Sequence, residues 1–220
     1  MDFLRSKTDY STYFTGNQEN MSLMELNLGN LYLPSGQIVA CDPLVCLGRS
    51  LAFNKTLPAG SYPVTAYVKQ NEEQGDRIAL IKIEFKPDTT VRWEMALTEF
   101  DDIALMTKPD DFFGFPVDSG LASLCDAETQ ELYEAFTDKY YSEQSGTDIY
   151  TDYFKAMFEK NAAETDTGGN WINFTIPHST LHNVVMFSSG FGDGNYPCYW
   201  GINAKNEVCS LVVDFFVLSH

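Results

Sequence analysis

From Leu31 onward, apolar and polar residues alternate with a period of two, in short runs separated by turn residues. Leu33-Pro34-Ser35-Gly36 reads as a turn, and residues 37–41 as a short strand ending at Cys41. After the turn Pro58-Ala59-Gly60, apolar Tyr62, Val64, Ala66 and Val68 alternate with Thr65, Tyr67 and Lys69. Residues 77–85 place Ala79, Ile81, Ile83 and Phe85 on one face and Lys82 and Glu84 on the other. Lys86-Pro87-Asp88 turns the chain, and Val91, Trp93, Met95 and Leu97 form the next apolar face. Runs of this length, divided by turn chemistry, predict a meander of antiparallel strands.

The period changes at Asp126, whose carboxylate suits a helix N-cap. Leu132, Phe136 and Tyr140 follow at a spacing of four, with Tyr133 beside them. Ser145-Gly146 breaks the run. A second helix is expected from Thr147 or Asp148, with the stripe Tyr150, Tyr153, Phe154, Met157 and Phe158. Residues 164–170 read as a polar loop. The period of two returns over 171–176 and 184–187, and 199–202 with 208–218 predict a closing hairpin across Asn203-Ala204-Lys205-Asn206. In 208–218 Cys209, Leu211, Val213, Phe215 and Val217 make one face and Val208, Val212, Phe216 and Leu218 lie on the other with Asp214, so this strand is expected to be central and covered on both sides. Residues 1–25 are polar and aperiodic and predict a flexible N-terminal arm or a short docking segment. The fold expected is mainly β (α+β): antiparallel, β-sandwich-like sheets with a helical hairpin inserted near 126–160, in one domain over 26–220.

Charge changes the picture of that hairpin. The chain of 220 residues carries a net charge of −17. Residues 101–125 hold five acids and one base and residues 126–166 eleven and three, so twelve of the seventeen excess negative charges lie in these two segments. Such a field repels nucleic acid and anionic membrane and attracts basic partners; the plainer reading is solubility. The five cysteines are odd in number and do not form a disulfide scaffold. No apolar run follows the N-terminus, and no stretch reaches the roughly 18 apolar residues of a membrane helix. A cytoplasmic protein with reduced thiols is expected.

Candidate chemistry is sparse. Residues 188–201 carry Gly190, Gly192 and Gly194 at every second position, with Asp193 between them. Such a loop can take positive φ and offer backbone N–H groups to an anion, but it lacks the lysine and the following helix of a phosphate-binding loop. A strand-to-strand turn explains it equally simply. Cys41 and Cys46, with His178 and His182, are the right types for zinc, yet neither pair sits on a knuckle. Buried apolar cysteines are the commoner outcome, and no metal or other cofactor is expected. Cys125 is flanked by Asp118, Asp126 and Glu128, which oppose thiolate formation. No nucleophile, base and orienting group stand out together.

Four segments carry a family resemblance. Residues 33–44, from Leu33-Pro34-Ser35-Gly36 to Cys41-Asp42-Pro43-Leu44, form the first; Phe115-Pro116-Val117-Asp118-Ser119-Gly120 is the second. Phe187-Ser188-Ser189-Gly190-Phe191-Gly192-Asp193-Gly194 continues through Tyr196-Pro197 and Tyr199-Trp200-Gly201, and Leu211-Val212-Val213-Asp214-Phe215 closes the series. In this order they resemble a bacterial family catalogued as domain of unknown function 4241. The resemblance implies that Asp42, Asp118, Asp193, Tyr196 and Asp214 belong to the family pattern, and it implies no established activity. Phe191 stands where that pattern has Trp, and His178 and His182 fall outside it.

Two functions are expected from different classes. The first is a non-enzymatic acidic protein that docks a basic partner, such as an immunity or antitoxin protein neutralising a toxin, through Asp101, Asp102, Asp110, Asp111, Glu131, Glu134 and Asp138. The second is a small-ligand binder or hydrolase built on the 190–194 loop, with Asp193 and Tyr196 on the ligand and Asp42, Asp118 or Asp214 nearby. Self-association is the third and plainest expectation.

Overall fold

A computed structural model describes residues 3–14, 23–71, 73, 75–144, 146–165 and 170–218. A single helical turn, α1 (Ser11–Phe14), precedes strands β1 (Leu23–Leu33), β2 (Ile38–Cys41), β3 (Gly60–Lys69), β4 (Arg77–Glu84) and β5 (Thr90–Met95). After a 3₁₀ turn (Ile103–Leu105) come β6 (Phe115–Val117), β7 (Leu121–Asp126), α2 (Ala127–Glu143) and, following a π-helical turn (Tyr150–Phe154), α3 (Lys155–Thr165). Strands β8 (Trp171–Thr175), β9 (Asn183–Ser188), β10 (Gly194–Tyr196), β11 (Cys198–Asn203) and β12 (Val208–Asp214) complete the chain.

All pairings of the named strands are antiparallel. One sheet has the order β1-β3-β4-β12-β11-β5, a second β2-β7-β9-β8, and β6 pairs with β10. Strand periodicity sorts the second sheet's side chains onto two faces. Ile38, Ala40, Ala122, Leu124, Val185 and Phe187 share one core with the six-stranded sheet. Val39, Cys41, Cys125, Val184 and Met186 point the other way and pack with Tyr133, Tyr140, Phe154 and Phe158 of the helical segment. The result is three layers: sheet, sheet, helices. This is the mainly β, sandwich-like architecture with a helical hairpin that the periodicity predicts.

Local chemistry fixes the joints. Asp126 is the N-cap of α2, with one oxygen on the Glu128 N–H at 2.9 Å. Its other oxygen accepts the Ser35 N–H at 3.0 Å, so the same carboxylate pins the turn before β2. Inside the hairpin, the Lys155 N–H bonds to the Tyr150 carbonyl, the wider i→i+5 spacing of a π turn. That spacing keeps Ile149 and Phe154, five apart, in the same core. Asn173 and Asn183 stitch the two sheets together: both side-chain amides donate to the Asn30 carbonyl, at 3.0 and 2.8 Å. The β11–β12 hairpin turns at Asn206, which takes φ of +63°, and β12 lies inside its sheet with all but its first residue buried.

Several expectations need correction. The N-terminal arm is not loose over residues 3–14: Phe3, Leu4, Tyr13 and Phe14 pack on the six-stranded sheet, and Tyr10 is 2% exposed. Its aromatic rings cover a sheet face that two-periodicity left apolar, with Tyr10 against Trp93 and Tyr199 at 5.4 Å each. The rest of the expected arm, residues 15–22, lies outside the described residues, and β1 already begins at Leu23. On α2 the buried stripe is Thr129, Tyr133 and Tyr140 with Phe136 partly buried, while Leu132 is exposed. Val91, at the start of edge strand β5, is exposed as well. The break expected at Ser145-Gly146 falls partly outside the described residues, though Gly146 takes φ of +81°. Of the loop expected at 164–170, residues 166–169 lie outside the described residues and α3 runs to Thr165. No helix among the described residues is long and apolar enough to cross a membrane.

Candidate functional site

The five residues of the expected ligand set take different roles on adjoining segments: Gly194 pairs with Val117 and the Ser189 N–H bonds to the Gly120 carbonyl, so Asp193 and Asp118 flank one strand pair. Asp42, directly after β2, is fully buried. One oxygen accepts the N–H groups of Leu44 and Val45 and the hydroxyl of Ser119; the other accepts the N–H groups of Asp118 and Ser119, at 2.9 and 2.7 Å. Five donors on one carboxylate tie the 42–47 loop to the β6–β7 turn. Asp118 enters this joint through its backbone, and its own side chain faces solvent.

The glycine-rich loop closes on itself. The Ser189 hydroxyl and the Tyr196 hydroxyl both donate to the Gly192 carbonyl, at 2.8 and 2.7 Å, and the Gly192 N–H returns to the Ser189 carbonyl. Gly190 takes φ of +56°, and a Cβ there would stand 2.8 Å from the Cβ of Phe215. Glycine is therefore required for both conformation and space. Burial, and then the charge of Asp193, raise the Tyr196 phenol above its ordinary range, so it serves as a donor to the loop. Asp193 itself is exposed at the tip.

Asp214 ends β12 and is 1% exposed. It accepts the Tyr10 hydroxyl at 2.8 Å and the Phe216 N–H at 2.8 Å. It lies at a cleft of about 640 Å³ between the N-terminal segment and residues 109–112. Burial, and then the Asp214 charge, hold the Tyr10 phenol well above its ordinary value. Asp42 and Asp214 accept donors from within the chain, whereas the side chains of Asp118 and Asp193 are exposed.

A family model described as "Protein of unknown function (DUF4241)" matches residues 31–213, most of the chain. The chain belongs to this family. No curated protein and no solved structure matches it. In this DUF4241 protein, four of the five residues that carry the family resemblance work inside the fold: Asp42 and the Asp118 backbone as a joint, Tyr196 as a loop clasp, Asp214 as the anchor of Tyr10.

The remaining acids separate by what they touch. Asp101 accepts the Thr98 N–H and hydroxyl, and Asp102 caps the 3₁₀ turn on the Ala104 N–H. Asp111 accepts the Lys108 and Thr107 N–H groups at 2.7 Å each, and these bonds hold its carboxyl below the ordinary carboxylate range. Asp110 pairs with Lys7 at 2.7 Å, both fully in solvent reach. Glu131, Glu134 and Asp138 differ. They are exposed, and among the described residues no basic side chain pairs with them. Their i, i+3, i+7 spacing sets them on one face of α2, opposite Thr129, Tyr133 and Tyr140.

The thiol and imidazole candidates do not assemble. Cys41 is buried against Ser123, and burial pushes it up to about 12. Burial raises Cys125 as well, ahead of the charges of Cys41 and Asp126, so neither is an activated nucleophile. His182 contacts Ser179 and approaches Glu128 at 3.8 Å. Among the described residues no three His, Cys, Asp or Glu side chains are grouped to hold a metal. Sequence reasoning missed Tyr10 as the partner of Asp214 and Ser119 as a partner of Asp42. It also gave no sign that Phe100 and Leu105 stand in solvent, at 75% and 73% exposure.

Proposed function

We propose that this DUF4241 protein is a non-enzymatic binding protein that docks a basic protein partner on the outward face of α2 and the acidic loop beside it. The observation that carries the reading is the division of labour among the acids. Asp42, Asp101, Asp102, Asp111, Asp126 and Asp214 are committed to bonds within the chain. Glu131, Glu134 and Asp138 are not, and they repel one another along the helix. Like charges at i, i+4 on a helix cost about 0.2–0.5 kcal/mol per pair. A basic partner turns that cost into attraction and speeds encounter. In its concrete form the partner is a toxin, such as a basic nuclease, and the protein its immunity partner. Five cysteines without disulfides are in keeping with a cytoplasmic setting.

The ligand-binding or hydrolytic alternative has less in its favour. The hydroxyl of Tyr196 and the carbonyl of Gly192 are bonded to each other, and Asp193 is exposed at the loop tip, one step beyond the Gly194–Val117 pair.

The test uses the full chain as bait in host extract. The wild type is expected to retain a basic protein at about 50 mM salt and release it at about 500 mM, a range over which screening becomes strong. E131Q/E134Q/D138N, which keeps the shape of the face, is expected to retain at least about tenfold less. Equal retention by the two baits, or retention indifferent to salt, would overturn the proposal.

A further inference from the structure

Exposed large apolar side chains are scattered over the chain, among them Val91, Leu181 and Phe191, but one connection carries the extremes. Phe100 and Leu105 are the most exposed large apolar side chains among the described residues, at 75% and 73%, and Ile103 between them is 42% exposed. All three lie in residues 96–114, the long connection from β5 to β6. Loops of that length without much regular structure are commonly functional.

This loop is held in shape. The Ala96 N–H bonds to the Cys198 carbonyl at 2.7 Å, and the Leu97 carbonyl accepts from Asn54 at 2.8 Å. Carboxylates of Asp101, Asp102 and Asp111 clamp the backbone at Thr98, Ala104, Thr107 and Lys108. The side chain of Met106 is buried at 7%, anchoring the loop's middle. Its neighbour Leu105 is turned outward by the same 3₁₀ geometry. The apolar tips are therefore presented by an ordered backbone, which lowers the entropy cost of inserting them elsewhere.

Charge identifies what they fit. Residues 98–111 carry Glu99, Asp101, Asp102, Asp110 and Asp111 against the single base Lys108. Apolar tips interspersed with acids along one loop match an apolar pocket in a basic surround. A second copy of this chain would bring the same acids, within a net charge of −17, against each other.

The loop is also continuous with α2. Asp101 borders a groove of about 300 Å³ whose other wall is formed by Cys46, Ser50, Leu51 and Phe53. Ser50 exchanges hydrogen bonds of 3.0 and 2.9 Å with Gln130 of α2, and Gly48 abuts Glu134 of the acidic stripe.

We infer that Phe100 and Leu105 are the apolar anchors of the docking surface, inserting into a pocket of the partner that is lined by apolar side chains and rimmed by Lys or Arg. This rests on the proposed docking of a basic protein and adds where the affinity resides: steering belongs to the α2 stripe, and grip to the loop. Anchors of this kind concentrate the binding energy of an interface.

The test places a photoreactive benzoylphenylalanine at position 100 of the full chain in its host, with the same group at Val91, exposed at the far end of β5, as the control. The expected result is a crosslink from position 100, and not from 91, to a peptide of a basic protein in which an apolar residue is flanked by Lys or Arg. F100S/L105S is expected to lower retention of that protein by roughly tenfold or more while leaving its salt dependence in place. The unfolding midpoint of that variant should match the wild type, since both side chains are in solvent. Crosslinks to a second copy of this chain, equal crosslinks from 100 and 91, or none from 100 above background would overturn the inference. Retention unaffected by F100S/L105S but lost in E131Q/E134Q/D138N would overturn it and leave the docking proposal standing. Retention of no basic protein by the wild type would overturn both.

Discussion

A single carboxylate, Asp42, receives five donors within the chain and no solvent. Replacing one oxygen by an amide turns an acceptor into a donor facing N–H groups. Asp42→Asn is therefore expected to lower the free energy of unfolding by about 3 kcal/mol, measured by denaturant titration; a change below about 1 kcal/mol would contradict the role as a joint. Asp214 belongs to the same class, with Tyr10 as its partner 204 residues away in sequence. Tyr10→Phe removes the hydroxyl bonded to this buried charge and should cost at least about 1.5–3 kcal/mol. Neither partnership was legible beforehand. The resemblance marked Asp42 and Asp214, but the donors come from a distant turn and from a segment whose lack of periodicity concealed a docked tyrosine. The acids of α2 were legible, because helical spacing alone places Glu131, Glu134 and Asp138 on one side.

At the scale of elements, the glycine-rich loop divides the two readings of residues 188–194. As a self-bonded turn it needs Gly190 and tolerates change at Asp193. Gly190→Ala, forced against Phe215 and Val217 at positive φ, should destabilise by about 1–3 kcal/mol. Asp193→Asn should stay within about 0.5 kcal/mol of wild type. Thermal or denaturant unfolding of both variants checks this, and the reverse ranking would favour a working role for Asp193. Strands with one face only partly covered, such as β5, were visible as alternation. Strand β7 was not, since Leu121, Ala122, Leu124 and Cys125 are buried toward two different cores and the alternation disappears. The short β10 was hidden within a stretch that its glycines made look like pure loop. The π turn at the start of the second helix escaped notice because it preserves the apolar stripe it serves.

The whole molecule combines a dry interior with a charged exterior, and pH separates the two. Burial pushes Cys41 from 9.0 to about 12 and Tyr199 from 10.0 to about 12, and it also raises Cys125 and Tyr10 well above their ordinary values. Each folded-state value lies above the unfolded one, so above pH 9 the unfolded chain loses these protons first. The associated stability is complete below pH 9 and is lost as pH climbs from there toward 12. Each group contributes a slope of about 1.4 kcal/mol per pH unit while it is ionised only when unfolded. Denaturant midpoints should therefore hold between pH 7 and 9 and fall steeply above about pH 10; a midpoint unchanged at pH 11 would contradict the buried thiols and phenols. On α2, Glu131, Glu134 and Asp138 have no such internal use among the described residues, and the proposed docking rests on them.

The measurement that bears most directly on that placement is the salt dependence of affinity for the basic protein captured by the wild type. Between about 50 and 300 mM salt its Kd is expected to rise steeply for the wild type and much less for E131Q/E134Q/D138N. Parallel slopes for the two proteins would mean that these three carboxylates do not face the partner, and the account of α2 as a docking face would be wrong.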